Sequence, residues 1–175
     1  MATNPVPMVN LQYEVFDETE RILGVAQATL PELDLMTADV KGSGILGQME
    51  WPIRGAFDNM QLTMQFRVIF VNLTSLLSPH AHMITLRNVY EKYDAASGTR
   101  EPHGLKIVCR GLAKNLNNGS LEVGESADAE IQMNLDYYKV EDNKDGVLIE
   151  IDRFNNVYNI NDVDYYSDII NLLGL

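Results

Sequence analysis

Three histidines, one cysteine and one short acidic turn are the residues of this chain whose types and spacing could support chemistry. The turn lies in "YYKVEDNKDGVLIEID", residues 137–152, where Glu141, Asn143, Asp145 and Gly146 fall on four positions of a calcium-loop pattern. Such a loop needs a helix on each side, normally an Asp as first ligand and normally a bidentate Glu at its end. Both flanks here read as strands, and Asn, Asp and Gly are the residues that tolerate the positive φ of a tight turn. The stretch therefore reads as a hairpin. His80 and His82 would project from one face of a strand, yet a catalytic zinc needs three ligands and a structural one four. Cys109 sits in the apolar run "KIVCRG" and reads as a small buried side chain rather than a nucleophile. "GSGILG", residues 42–47, spells a dinucleotide fingerprint but lacks the following helix whose N-terminus would hold a pyrophosphate. There is no G-x-S-x-G elbow. No catalytic, cofactor-binding or metal-ligating residue is expected, and the chain is not expected to be an enzyme.

The totals narrow the classes further. A length of 175 residues suits one domain with a proper core, and 46% apolar residues is a globular composition. The net charge of −12 argues against gripping nucleic acid through its phosphates. The acidic residues are spread along the chain, which marks a solvated surface rather than an interaction tail. A single cysteine excludes an intrachain disulfide. "MATNPVPMVN" lacks the basic and apolar regions of a signal peptide, and no apolar run approaches a membrane span, so no membrane anchor is expected. Folding inside a cell is the expectation, which leaves the triplets at Asn72 and Asn118 without glycosylation.

The elements that must position these residues are mostly strands. Residues 1–7 carry two prolines and no periodicity and read as an N-terminal arm. Strands are expected over 8–16, in "RILGVAQ" (21–27), in "LDLMTADV" (33–40), over 61–72, over 82–94 and over 105–115. In the 61–72 run, Leu62, Met64, Phe66, Val68 and Phe70 share one face. "LTSLLS" reads as a short helix stopped by Pro79. Residues 94–104 read as a turn region, and Asn118-Gly119 signals a tight hairpin. In "AEIQMNLDYYKV", residues 129–140, Ile131, Met133, Leu135 and Tyr137 alternate with Glu130, Gln132, Asn134 and Asp136, so one face of this strand meets water. No strand or helix period fits residues 42–60, and their Ile45, Leu46, Met49 and Trp51 look exposed. A long apolar loop needs a partner surface, and another subunit is the simplest one. Val163, Tyr166, Ile169, Ile170 and Leu173 recur at helical spacing, which predicts a helix over 162–173 with acidic residues at its start and Gly174 at its close.

The C-terminal third carries a resemblance. Tyr137-Tyr138-Lys139, Leu148 to Asp152, then Asn155, Val157, Asn161, Val163, Asp164 and Gly174-Leu175 resemble the major tail tube protein family of contractile-tailed bacteriophages and related bacteriocin tails. "VCRG" at 108–111, followed by Leu121 to Glu125, is similar to another strand and segment of that family. The likeness is good over about residues 105–175 and looser before. It implies a mainly β fold, a sandwich or barrel domain with a flanking α-helix, an extended inter-subunit loop (42–60) and the N-terminal arm, all in one domain spanning 1–175.

The resemblance also implies a function. Six copies would form a ring, and rings would stack into the inner tail tube through which a phage genome is ejected into the bacterial host. Hairpins from each copy would join into one barrel around the lumen, which removes every open sheet edge. About 24 strands spaced ~4.8 Å and tilted ~40° give a diameter of roughly 45 Å. An acidic wall would let DNA slide without binding it, and Glu130, Gln132, Asn134 and Asp136 are the expected lumen residues. Ile45, Leu46, Met49 and Trp51 are the expected inter-subunit residues. Implied partners are further copies of the chain, the tail sheath protein, the tape-measure protein, and the baseplate and tail terminator proteins. The implied location is the virion tail, assembled in the host cytoplasm. Two alternatives stay open: the tube of a DNA-free contractile bacteriocin or secretion apparatus, and a soluble ligand-binding β-barrel.

Overall fold

The computed structural model describes residues 5–18 and 25–174. Its centre is the pair β7 (Thr99–Asn117) and β8 (Ala129–Asp142), two long antiparallel strands that serve two groups of neighbours. On one side β7 pairs with β6 (His82–Asp94), which pairs with β1 (Val6–Phe16). Beyond β8 the sheet divides. Residues 137–142 of β8 pair with β9 (Gly146–Asp152), followed by β10 (Val157–Ile160) and the short β11 (Val163–Asp164). Residues 129–134 of β8 pair instead with β5 (Gln61–Phe66), which carries β2 (Val25–Thr29) at its far edge. A separate two-stranded ribbon joins β3 (Leu35–Lys41) to β4 (Gln48–Phe57). The fold is thus mainly β, as the sequence predicts, and its strands form one large antiparallel sheet beside the ribbon.

Alternation builds the core. Leu62, Met64 and Phe66 of β5 face Ile131 and Met133 of β8, all essentially inaccessible. Ile84 and Leu86 of β6, Ile107 and Cys109 of β7, and Val15 of β1 close the other side. The sheet curls until the Tyr13 hydroxyl on β1 donates to Ala26 O on β2 at 2.9 Å. The helix α1 (Val71–Ser75) plugs one end with Leu73, and Leu76 just beyond it is also buried. Each such side chain contributes roughly 1.5–3 kcal/mol of burial.

Several expected boundaries move. β1 begins at Val6, so the arm expected over 1–7 is shortened by its last two residues, and Met1–Asn4 lie outside the described residues. So do residues 21–24 of the expected second strand. β5 stops at Phe66: Phe70 precedes α1 and Val68 stands in solvent. The turn region expected over 94–104 shrinks to four residues, because the Asp94 carboxylate accepts the Ala96 N–H at 2.9 Å and the Ser97 hydroxyl at 2.8 Å and β7 resumes at Thr99. Asn118-Gly119 opens a longer connection over 118–128 rather than a tight hairpin. The helix expected over 162–173 starts at Ser167, as α2 (Ser167–Leu173). Asn161 and Asp162 take positive φ and turn β10 back into β11 first. Asp164 then accepts the N–H groups of Tyr166 and Ser167, and Gly174, at φ 75°, ends the helix.

The largest correction concerns residues 42–60. Gln48–Phe57 is a strand, and only residues 42–47 and 58–60 of that stretch lie outside strands. Met49, Trp51 and Ile53 alternate with Gln48, Glu50, Pro52 and Arg54, a period the glycines on either side obscure. Pro52 is tolerated because the ribbon has two strands and every strand in it is an edge.

A polar sheet face with open edges as the candidate functional site

β2, β5, the first half of β8 and the last part of β7 form a four-stranded unit with two unlike faces. One face is the core. On the other, directly paired residues make rows across the strands: Gln27, Gln65, Glu130 and Asn117 in one, Thr29, Thr63, Gln132 and Asn115 in the next. A third row holds Gln61, Asn134 and the exposed Leu112, and the exposed Lys114 is the extra residue of a bulge between Ala113 and Asn115. Carboxamides and hydroxyls dominate. Both oxygens of Glu130 accept from neighbouring amides, Oε2 from Gln65 at 3.3 Å and Oε1 from Gln132 at 2.8 Å. Asn134 Oδ1 accepts from Asn59 at 3.1 Å. Side-chain ladders of this kind add to the register that the apolar face beneath sets.

Of the four residues expected to act together, the structure unites Glu130, Gln132 and Asn134. Asp136 is set apart by a bulge. Arg110 lies opposite Tyr137 and Gly111 opposite Leu135, which leaves Asp136 as the extra residue. Its carboxylate pairs with Arg110 Nε at 3.1 Å, while Arg110 Nη2 reaches Asp152 at 3.6 Å and the guanidinium lies 5.4 Å from the Tyr137 ring centre. The bulge also flips the alternation, so Tyr138 rather than Tyr137 enters the core. Burial works to raise the Asp152 carboxyl, but the Asn155 side chain and N–H, the Phe154 N–H and Arg110 hold it below the usual carboxylate range. Sequence reasoning missed Gln27, Thr29, Gln61, Thr63, Gln65, Asn115 and Asn117. The polar positions of "QLTMQF" carried the same alternating signal as those of β8.

This unit ends in two different open edges. Among the described residues β2 pairs only with β5, and β7 loses β6 beyond Gly111, where the ladder stops at His82. The ribbon adds a third unpartnered surface. Val40 pairs with Met49 and Ala38 with Trp51 on one face, while Asp39 lies opposite Glu50 on the other. Trp51 is 58% exposed and Leu46 is fully so, whereas Ile45 is half-buried. The base is held: the Phe57 and Tyr158 rings meet edge to face at 5.1 Å, and Arg153 Nη2 donates to the carbonyls of Phe57 and Asp58.

The residues that could have supported chemistry are engaged otherwise. Asp142 in the acidic turn accepts the Tyr90 hydroxyl at 2.8 Å and the N–H groups of Lys144 and Asp145. Asn143 is bonded to Gly104 through both N–H and Oδ1. His82 is buried with Nε2 2.9 Å from Ser78 Oγ, and burial, helped by His80, lowers its pKa. Burial pushes the Cys109 thiol up to about 12. Among the described residues no three metal-ligating side chains converge, and no helix is long and apolar enough to cross a membrane.

Fold and site together define a structural β-protein whose exposed features are strand edges and an apolar ribbon. Residues 11–174 match the phage tail tube protein FII family, and the chain belongs to it. It is 27% identical over 160 residues to the tail tube protein of Escherichia phage P2, with 87% of this chain and 88% of that protein covered. The fold resembles the sheath/tube terminator of an extracellular contractile injection system in its extended state (TM-score 0.55, 12% identity, 81% of this chain and 99% of that one). It also resembles a chain of the sheath-tube complex of such a system (TM-score 0.54, 14% identity, 80% and 93%). The chain is accordingly a structural tail tube protein, as its family is, and not an enzyme.

Proposed function

We propose that six copies close into a ring through their unlike edges, β2 of one copy lying against residues 112–117 of the next, and that rings stack into the inner tube of a contractile tail. The observation that carries this reading is the four-stranded unit itself: a dry face, a polar face and two different unpaired edges. Unlike edges join head to tail, which closes a ring when the rotation fits. Four strands from each copy supply the roughly 24 strands of a channel about 45 Å across. The polar face then lines the lumen, with Glu130, Gln132 and Asn134 in the wall and Asp136 held to one side by Arg110. The single carboxylate, already bonded to two amides, makes the wall more neutral than the acidic one expected from sequence. The exposed Lys114 at the β7 bulge is offset in number by Glu130, so the wall carries no surplus of cations and a genome passes through without being held.

The ribbon, including Ile45, Leu46, Met49 and Trp51, packs on a neighbouring copy. The sheath surrounds the tube, the tape-measure protein occupies it during assembly, and baseplate and terminator proteins cover its ends. Assembly takes place in the host cytoplasm and the product resides in the virion tail. A near-neutral lumen also favours a second reading, the tube of a DNA-free contractile bacteriocin or secretion apparatus. Electron microscopy of concentrated recombinant protein tests the tube. Annular or rod-shaped particles are expected, and a stable monomer at millimolar concentration overturns the proposal.

A further inference from the structure

We infer that Tyr166 is the positioning residue of the β3–β4 ribbon: its ring, seated on Gly55 at a break in the ribbon's ladder, fixes the angle at which the ribbon leaves the body. The inference concerns the single chain and stands apart from the tube reading. Its first support is the break itself. Leu35 pairs with Phe57 and Thr37 with Pro52, so Ile53, Arg54, Gly55 and Ala56 of β4 face Met36 alone. A mismatch of this kind removes ladder hydrogen bonds and bends the longer strand. Gly55 takes φ 75°, which glycine adopts without strain. The ladder therefore holds each side of the break and leaves the angle between them to other contacts. Beyond it, every residue from Gln48 to Arg54 is exposed, and among the described residues no strand outside the ribbon pairs with it.

The second support is the contact made there by the C-terminal segment. A Cβ on Gly55 would lie 2.5 Å from Tyr166 Cε2 and 2.6 Å from its Cδ2. The ring edge thus fills the space that a side chain at 55 would take. Tyr166 is itself held in place. The Asp164 carboxylate accepts its N–H at 2.8 Å and that of Ser167 at 3.2 Å, and the Tyr165 N–H donates to Tyr158 O at 2.8 Å. The base of the ribbon is fixed by other groups. The Asp58 N–H donates to Asp34 O at 2.8 Å, Arg153 donates to the carbonyls of Phe57 and Asp58, and the Tyr158 ring meets that of Phe57. What Tyr166 adds is the angle of the outer part, which carries the exposed Leu46, Met49 and Trp51. A ribbon already held at one angle loses less freedom when a surface covers it, so the joint strengthens a contact it does not touch.

Spin labels on Leu46→Cys and Lys114→Cys of the full-length chain, kept dilute, read the angle as a distance distribution. Both positions are exposed, and Cys109 is buried out of reach of the label. With Tyr166 and Gly55 intact one narrow distance is expected, and Tyr166→Phe, which keeps the ring, should leave it narrow. Tyr166→Ala should abolish the narrow peak. Gly55→Ala reaches the same contact from the other side, because its Cβ must displace the ring. It should broaden the distance by itself and add nothing in a chain that already carries Tyr166→Ala. Trp51 is the single tryptophan, so a fall in its fluorescence anisotropy reports the same loosening without labels. Circular dichroism and the urea midpoint follow the fold. A lowered midpoint with the peak still narrow makes Tyr166 a stabilising side chain only and overturns the inference. A broad distribution with Tyr166 and Gly55 intact overturns it too. Assembly adds a readout that does rest on the tube reading: Tyr166→Ala should raise the protein concentration needed for rods about tenfold. An unaltered chain that forms no annular particle overturns the tube reading, while the distance measurement still decides the role of Tyr166.

Discussion

Asp136 shows how one extra residue changes what a side chain does. Read by period alone it belongs with Glu130, Gln132 and Asn134. The bulge turns it toward Arg110 and makes it part of a charge cluster with Asp152. Gly111 sits beside this break, and a Cβ there would come within 2.1 Å of Asn134 O. Backbone cannot retreat as a flexible side chain does, so Gly111→Ala should lower stability by about 1–3 kcal/mol or more, read as a fall in the urea midpoint. His82 gives a pH signature. Its native pKa lies below the ordinary histidine value, with burial the main cause and His80 the next. The unfolded chain then binds the proton more readily. The contribution to stability is complete above ~6.5 and is lost as the pH falls through the lowered native value. His82→Gln should flatten the fall in urea midpoint on going from pH 7.5 to 5, and an undiminished slope would assign the effect to other groups. The depressed carboxyls of Asp142 and Asp152 act in a separate window. Their contribution is present above the ordinary carboxylate value of ~3.9 and is lost below it.

At the scale of elements, legibility follows burial. β6 was readable to the residue and β8 nearly so, because a strand with one dry face must alternate. The ribbon was not. Its apolar face is dry only when another molecule covers it, so the sequence shows apolar residues between glycines with no core to explain them. α2 was placed too early for a related reason: none of its described residues is buried, and helical spacing at 163 and 166 competes there with a turn built on Asn161 and Asp162. The polar face was half legible. β8 declared it, while β2 and the end of β7 joined it only through pairing across distant segments. The exposed ribbon yields a clean prediction. Trp51→Asp should leave the unfolding free energy, read from urea titration, within about 0.5 kcal/mol of the parent, as exposed substitutions do, while abolishing rods. Rods of normal yield would remove Trp51 from any contact between copies.

For the whole molecule, the decisive quantity is charge density on the wall rather than net charge. The chain carries −12, yet the polar face holds one carboxylate, Glu130, among amides, hydroxyls and Leu112, with Lys114 at the bulge on its margin. Most of the acidity lies elsewhere, in turns and on outer strands. In the proposed tube a ring multiplies whatever the face presents, and stacking multiplies it again along the channel. Gln65 and Gln132 stand on neighbouring strands on either side of the Glu130 carboxylate. Gln65→Lys with Gln132→Lys therefore adds two ammonium groups per copy and makes the wall net positive. The edges, the core and the ribbon remain as they were, so tubes should form with unchanged diameter. DNA, indifferent to the unaltered tube, should now bind it, with an affinity that falls steeply as salt rises because each phosphate contact releases a condensed counterion. In a DNA-carrying particle the same change should slow genome delivery. The control is Asp168→Lys with Asn171→Lys, which adds positive charge on the exposed side of α2 instead. If the altered face leaves DNA binding and delivery untouched while the helix change does not, the amide rows lie outside the channel and the lumen must be sought on another face.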